Sequence, residues 1–276
     1  MEEVELAEFH GVVAAGGRHA HPLVFLHGAW ETHRCFDGYV RFFAERGWDC
    51  YAFTRRTDRD RARIEDYLED TLRVLDQVGP APIVVGHSLG GLLAQLVAAQ
   101  QRCAAAVLIE PGPPKGIPVV PKARTWPVFM RLAPRIAVGK SFLPTRRAAR
   151  RAWLNRLPAD DVAEVYSRLV PESGVAFRQV LTGYPVDSKL VRCPVLCVSG
   201  LDSPSITPKM VGKTARRYGA SLIELAGHSH WLMEEPGWED GAAAIEGWLR
   251  EVEPTLLAGA STAARAEDRD AGHGAG

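Results

Sequence analysis

This sequence predicts an α/β fold: a mostly parallel sheet of roughly eight strands flanked by helices, with a helical lid inserted near the middle. Three observations carry that expectation. Short apolar runs alternate with helical stretches along most of the chain. One of those runs is followed at once by Gly-x-Ser-x-Gly and an apolar helix. The alternation stops after Pro111, resumes after Leu190, and leaves too long a gap to be a structureless loop in a compact domain.

Element by element, residues 4–14 alternate like a strand and its neighbour, and Gly16-Gly17 supplies a turn before the apolar strand 22–26. A helix over 36–46, a strand over 49–54, a helix over 64–78 and a strand over 81–86 follow. The helix after Ser88 runs to about Gln101, and a strand over 105–110 closes the first block. The second block reads as strand 194–199, helix 208–218, strand 221–225 and a last helix from Pro236 to about Glu251. Residues 1–110 and 191–253 therefore form the core and 111–190 the lid, with helical stretches around 126–132, 146–157 and 160–169. From Pro254 to Gly276 the chain is mostly Ala, Gly and charge. It cannot bury enough apolar area to offset ordering entropy, so this tail is expected to be disordered.

Composition narrows the class. With 46% hydrophobic and 24% charged residues and zero formal net charge, the chain reads as an ordinary globular protein and gives no reason to expect nucleic-acid binding. The acidic start Met1-Glu2-Glu3-Val4-Glu5 is unlike a secretory leader, and no run approaches a membrane-spanning length, which points to a cytoplasmic protein without integral membrane association. Five cysteines, an odd number scattered over apparent core elements, fit reduced buried thiols. Cys193 and Cys197 share a strand face, but no nearby His or Cys pair completes a zinc set. Nothing indicates a metal or an organic cofactor.

The chemistry begins at Ile83-Val84-Val85-Gly86-His87-Ser88-Leu89-Gly90-Gly91. Strand, tight turn and helix in that order form a nucleophile elbow, in which glycines let the chain pass close and expose the Ser88 hydroxyl. A serine needs a base within hydrogen-bond reach, and the base needs an orienting acid. Asp202 follows the strand ending Val198-Ser199-Gly200, and His228 and His230 follow the next strand, so the chain order is Ser, Asp, His. Either histidine can serve as base. The oxyanion formed by attack on a carbonyl needs two backbone donors, one of them from Leu89, directly after the nucleophile.

With these residues in place, the chain from Pro22 to about Glu251 resembles the α/β-hydrolase superfamily. Four motifs in order carry the resemblance: Leu26-His27-Gly28-Ala29-Trp30, the elbow, Gly200-Leu201-Asp202 with Pro208 beyond it, and His230-Trp231-Leu232-Met233-Glu234-Glu235-Pro236. The resemblance implies that Ala29 gives the second oxyanion donor and that His27 and His87 are structural. The family's tryptophan directly after the catalytic histidine and glutamate five positions on, here Trp231 and Glu235, favour His230 as base, with His228 the alternative. A serine at position 88 separates the chain from relatives that use aspartate there, the epoxide hydrolases and haloalkane dehalogenases. One departure stands out: Arg55-Arg56-Thr57-Asp58-Arg59-Asp60-Arg61 replaces the family's Arg-Gly-x-Gly-x-Ser loop.

Residues 111–190 hold 14 Lys and Arg against 5 Asp and Glu, a local charge of +9. That charge either attracts an anionic substrate, such as a carboxylate, a thioester or an acyl group on an acidic carrier, or forms a solvated helix surface. Trp30, Trp126, Phe129 and Met130 are the candidates for substrate binding, with Phe142 and Trp153 as further lid aromatics that could instead form its own core. The leading expectation is a serine hydrolase of a small-molecule ester, lactone or thioester, acting through an acyl-enzyme with Ser88, His230 and Asp202. The same constellation could serve a lyase, an acyltransferase or a cofactor-free enzyme of specialised metabolism, or survive in a non-catalytic binding protein.

Overall fold

The computed structural model describes residues 1–6, 9–55, 60–79 and 81–272. Its strands are β1 (Glu2–Leu6), β2 (Phe9–Ala14), β3 (Leu23–Leu26), β4 (Cys50–Phe53), β5 (Ile83–His87), β6 (Ala105–Ile109), β7 (Val195–Gly200) and β8 (Ser221–Leu225). They form one sheet in the order β1-β2-β4-β3-β5-β6-β7-β8. The pairs β1/β2 and β2/β4 are antiparallel and all the others parallel. The strand pair expected at the start of the chain is the antiparallel β1/β2 ribbon on one edge.

Every residue of β3, β5, β6 and β7 is buried, as parallel strands covered on both faces require. The period of two decides which cover each side chain meets. Val24 and Leu26 join the core on one face of the sheet, while Leu23 and Phe25 join the core on the other. The helices are α1 (Asp37–Glu45), α2 (Ile64–Val78), α3 (Leu89–Ala99), α4 (Trp126–Val138), α5 (Arg146–Ala152), α6 (Ala159–Ser167), α7 (Gly174–Thr182), α8 (Pro208–Tyr218) and α9 (Trp238–Gly272). Side chains of α2, α3 and α8 pack with the first core, and those of α1 and α9 with the second.

The segment between β6 and β7 carries α4 to α7, one helix more than the sequence suggests. The extra helix, α7, opens with glycine and a β-branched residue, which weakens its periodic signal. Ser173 caps it by accepting from the amides of Val175 and Ala176. Trp30 is one of the core residues that fasten this insertion. Trp30 donates its indole N–H to the Phe142 carbonyl (3.0 Å), its own carbonyl accepts from the Val170 amide (2.9 Å), and its ring packs against Phe142, Trp153 and Phe177.

Helix α9 continues through Pro254 to Gly272, and residues 273–276 lie outside the described residues. Ala, Leu, Glu and Arg in this segment favour helix locally whether or not they are buried. Among the described residues no helix is long and apolar enough to cross a membrane.

Candidate active site

Ser88 sits between β5 and α3 with φ 52° and ψ −112°, a left-handed backbone that a side chain rarely adopts. Two glycines make that turn possible. A Cβ on Gly86 would collide with the Gly90 carbonyl, and one on Gly90 would collide with the Leu26 carbonyl and lie 2.6 Å from that of His27. Both neighbours are backbone and cannot yield. Gly90→Ala is therefore expected to cost ~3 kcal/mol or more, read as a lowered denaturation midpoint. A midpoint equal to wild type would mean that the strand and helix can separate here.

The elbow is tied to the end of β6. The Ser88 amide donates to the Ile109 carbonyl (3.0 Å), and the Gly112 amide donates to the Ser88 carbonyl (2.7 Å). Between those two anchors lies Glu110, fully buried and also in left-handed backbone, with φ 44°. Its carboxylate accepts from Ser199 Oγ (3.1 Å) and the Gly200 amide (2.7 Å) on one oxygen, and from Ser203 Oγ (2.5 Å) on the other. That second oxygen, Oε2, stands 3.3 Å from His230 Nδ1. Burial pushes the Glu110 carboxyl up to about 8, against the pull of its three donors and of the nearby His87. Burial, followed by the charge on His87, holds the His230 imidazole well below its ordinary value.

Of the four polar residues singled out in the sequence, His230 is the one that faces the buried Glu110 carboxylate, beside the elbow that carries Ser88. Asp202 is placed elsewhere. Its amide donates to the His228 carbonyl (2.9 Å), but its side chain is 48% exposed and lies 3.6 Å from Arg156 Nη1, facing solvent. The residue that faces the imidazole is Glu110. His228 stands 3.5 Å from Glu235, whose carboxylate also accepts from the amides of Ser229 (2.7 Å) and Trp231 (3.3 Å) and so shapes the loop that carries His230.

A second buried pair backs the site. His87 Nε2 donates to the His230 carbonyl (2.8 Å), while its Nδ1 forms a 2.8 Å ion pair with Glu31 Oε1 whose angle falls short of a hydrogen bond. The other Glu31 oxygen accepts from the Gly28 amide (2.6 Å). Burial alone would lower the His87 pKa, but the Glu31 carboxylate outweighs it and the pKa is raised. Glu31 is correspondingly lowered, burial notwithstanding. His87 thus has an acceptor at each ring nitrogen and links the elbow, the His230 loop and the loop carrying Ala29.

That Ala29 loop is also gripped from its other side. Arg55, fully buried, donates to the carbonyls of His27 and Gly28 (3.0 Å to Gly28) and lies 3.7 Å from Glu172, which accepts from Tyr67 Oη (2.5 Å). Arg55, the arginine this loop shares with the family pattern, is therefore structural, and residues 56–59, where the departure begins, lie outside the described residues. The Leu89 amide, first in α3, has no carbonyl one turn back to bond and is free to act as a donor.

The four substrate-binding candidates scatter. Trp30 is buried in the aromatic cluster, and Phe129 packs edge-on against Trp153. Trp126 and Met130 point outward from α4, 56% and 74% exposed, because the buried stripe of that helix is Val128, Leu132 and Ile136. Helical spacing fixes which residues share a face but not which face turns inward.

The family model described as the alpha/beta hydrolase family matches residues 23–264. The chain belongs to the alpha/beta hydrolase family. Its fold is similar to that of the monoacylglycerol lipase of Paleococcus ferrophilus (TM-score 0.67, 19% identity, covering 88% of this chain and 98% of that one). The enol-lactonase of Burkholderia xenovorans LB400 (TM-score 0.67, 16% identity, 90% and 100%) and a thermophilic esterase of Thermogutta terrifontis (TM-score 0.67, 18% identity, 92% and 100%) are similar in the same way. In sequence, a Mycoplasma pneumoniae protein named as an esterase/lipase is 30% identical over 104 residues, which is 34% of this chain and 39% of that relative.

Glu110 escaped the sequence reading because it looks like the last residue of an apolar strand. Its signal was nonetheless present: a carboxylate at the carboxyl end of the strand beside the elbow, where α/β sheets gather their functional groups, and immediately before a proline.

Proposed function

We propose that this enzyme hydrolyses carboxylic esters, lactones or thioesters included, through an acyl-enzyme on Ser88, with His230 as the base and Glu110 as the acid that orients it. The observation that carries this reading is the Glu110–His230 contact. An ionised carboxylate at Nδ1 keeps the proton on that nitrogen and leaves Nε2 free to accept the Ser88 proton as the hydroxyl attacks. The imidazolium so formed is stabilised by Glu110, and it returns the proton to the leaving alkoxide or thiolate. Water then repeats the attack on the acyl-enzyme, with His230 again as base, and releases the acid. Ala29 and Leu89 donate their amides to the oxyanion in both halves, at a fixed position that needs no reorganisation.

Three features support the roles: the left-handed elbow, the three donors that hold Glu110, and the His87–Glu31 pair that fixes the histidine loop to the oxyanion loop. The esterase, lactonase and lipase activities named for the similar proteins agree with the reaction class. A fluorophosphonate should add to Ser88 and to no other residue, as located by peptide mass spectrometry, and the labelled enzyme should be inactive on p-nitrophenyl esters. Labelling elsewhere, or full activity after labelling, rejects the reading.

The pH profile follows from the same pair. The productive form has Glu110 ionised and His230 neutral, so activity is lost when the pair takes up its first proton, whichever residue holds it. Burial places that proton on Glu110 at about 8. Accordingly kcat/KM should rise with pH through a midpoint near 8. A midpoint at or below the ordinary imidazole value of 6.5 would mean that Glu110 is ionised throughout.

A further inference from the structure

The surface of the insertion combines two features that the reaction does not use. On α4, Trp126, Met130 and Val138 are exposed by 56%, 74% and 56%, and the equally exposed Val120 lies just ahead of the helix. These are four of the nine large hydrophobic side chains exposed among the described residues. Trp126, Met130 and Val138, with Pro134 between the last two, recur at intervals of four and form a single stripe opposite the buried Val128, Leu132 and Ile136. Residues 111–159 also carry eleven Lys and Arg and no Asp or Glu. Between α4 and α5, Arg131, Arg135, Arg147 and Arg151 line a groove of about 210 Å³ floored by Val128, Leu132 and Ala148. Among the described residues no carboxylate pairs with any of the four.

We propose that this face of α4 and α5 docks on an anionic lipid surface. The apolar stripe enters the boundary between headgroups and acyl chains, and the arginines meet the lipid phosphates. A second copy of the chain is a poor occupant, because a two-fold contact through this patch would bring like charges together. An acidic protein would match the charge, but it would need an apolar groove to receive a convex helix ridge. A lipid interface satisfies both features at once. The inference rests on this surface alone and not on the catalytic reading.

The test is co-sedimentation of the full chain with vesicles of phosphatidylcholine containing phosphatidylglycerol, beside vesicles of phosphatidylcholine alone. Binding should require phosphatidylglycerol and weaken with added salt. The triple variant Arg131→Gln, Arg135→Gln, Arg147→Gln should bind roughly a hundredfold more weakly. The pair Trp126→Ala, Met130→Ser should lose roughly tenfold or more. Since all five side chains are exposed or line an open groove, circular dichroism and the thermal midpoint should match wild type. Met130→Ser alone stands in should either multiple variant fail that check, with a smaller loss expected. Equal binding to both vesicle types, no binding to either, variants that bind like wild type, or capture by an acidic protein without vesicle binding would each overturn the proposal.

Discussion

Ser88→Ala lowers kcat on p-nitrophenyl esters by roughly 10⁴- to 10⁶-fold, and His230→Ala by a similar factor, while the double variant is scarcely worse than either. Non-additivity is the informative part. Serine and histidine act in one proton transfer, so once either is gone the other contributes nothing, and the residual rate comes from substrate binding and the oxyanion donors. His228→Ala should stay within a few-fold of wild type, because its ring faces Glu235 and not Glu110. Stopped assays with all four proteins, each checked for folding, decide the matter. A severe loss in His228→Ala with an active His230→Ala would exchange the two histidines. Additive losses would break the idea of a single relay.

The second large effect separates two carboxylates. Glu110→Gln should reduce kcat by roughly 10³- to 10⁴-fold with little change in KM. The amide is nearly isosteric and its oxygen can still accept from Ser199 and the Gly200 amide, so the fold survives. If its NH2 group then faces His230 Nδ1, the imidazole proton is driven to Nε2, where a base must be bare. The same variant should also lose the rise in rate near pH 8. Asp202→Asn, by contrast, alters a half-exposed side chain paired with Arg156 and should leave kcat within about threefold, as screened surface pairs contribute little. A collapse in Asp202→Asn with a normal Glu110→Gln would restore the order Ser, Asp, His and refute the arrangement proposed above.

How far the sequence could be read varied with the range of the physics involved. Buried parallel strands and the glycine elbow are local patterns, so β3, β5, β6 and the α3 start are legible from composition and spacing alone. Helix α2 is equally plain, from its apolar period and its acidic first turn at Glu65 and Asp66. Glu110 was not, because its surroundings come from Ser199, Gly200 and Ser203, about ninety residues later in the chain, which make an apparent strand terminus a buried, hydrogen-bonded carboxylate. The surroundings of Asp202 were hidden for the complementary reason. Chain order places it after the right strand, but the backbone there turns its side chain toward Arg156. Trp126 and Met130 show a third limit: an amphipathic helix with apolar residues on both faces does not declare in its sequence which of them is the core.

The bonds of Trp30 tie the insertion to the loop that carries Ala29. Trp30 directly follows Ala29, has φ 65°, and is held by the insertion through two hydrogen bonds and three ring contacts. The insertion cannot swing away as a rigid flap without pulling this residue, and with it the neighbouring amide, out of place. On the mechanism proposed above, a movement that frees the insertion from Trp30 also displaces the Ala29 amide, so such a movement and catalytic competence exclude each other.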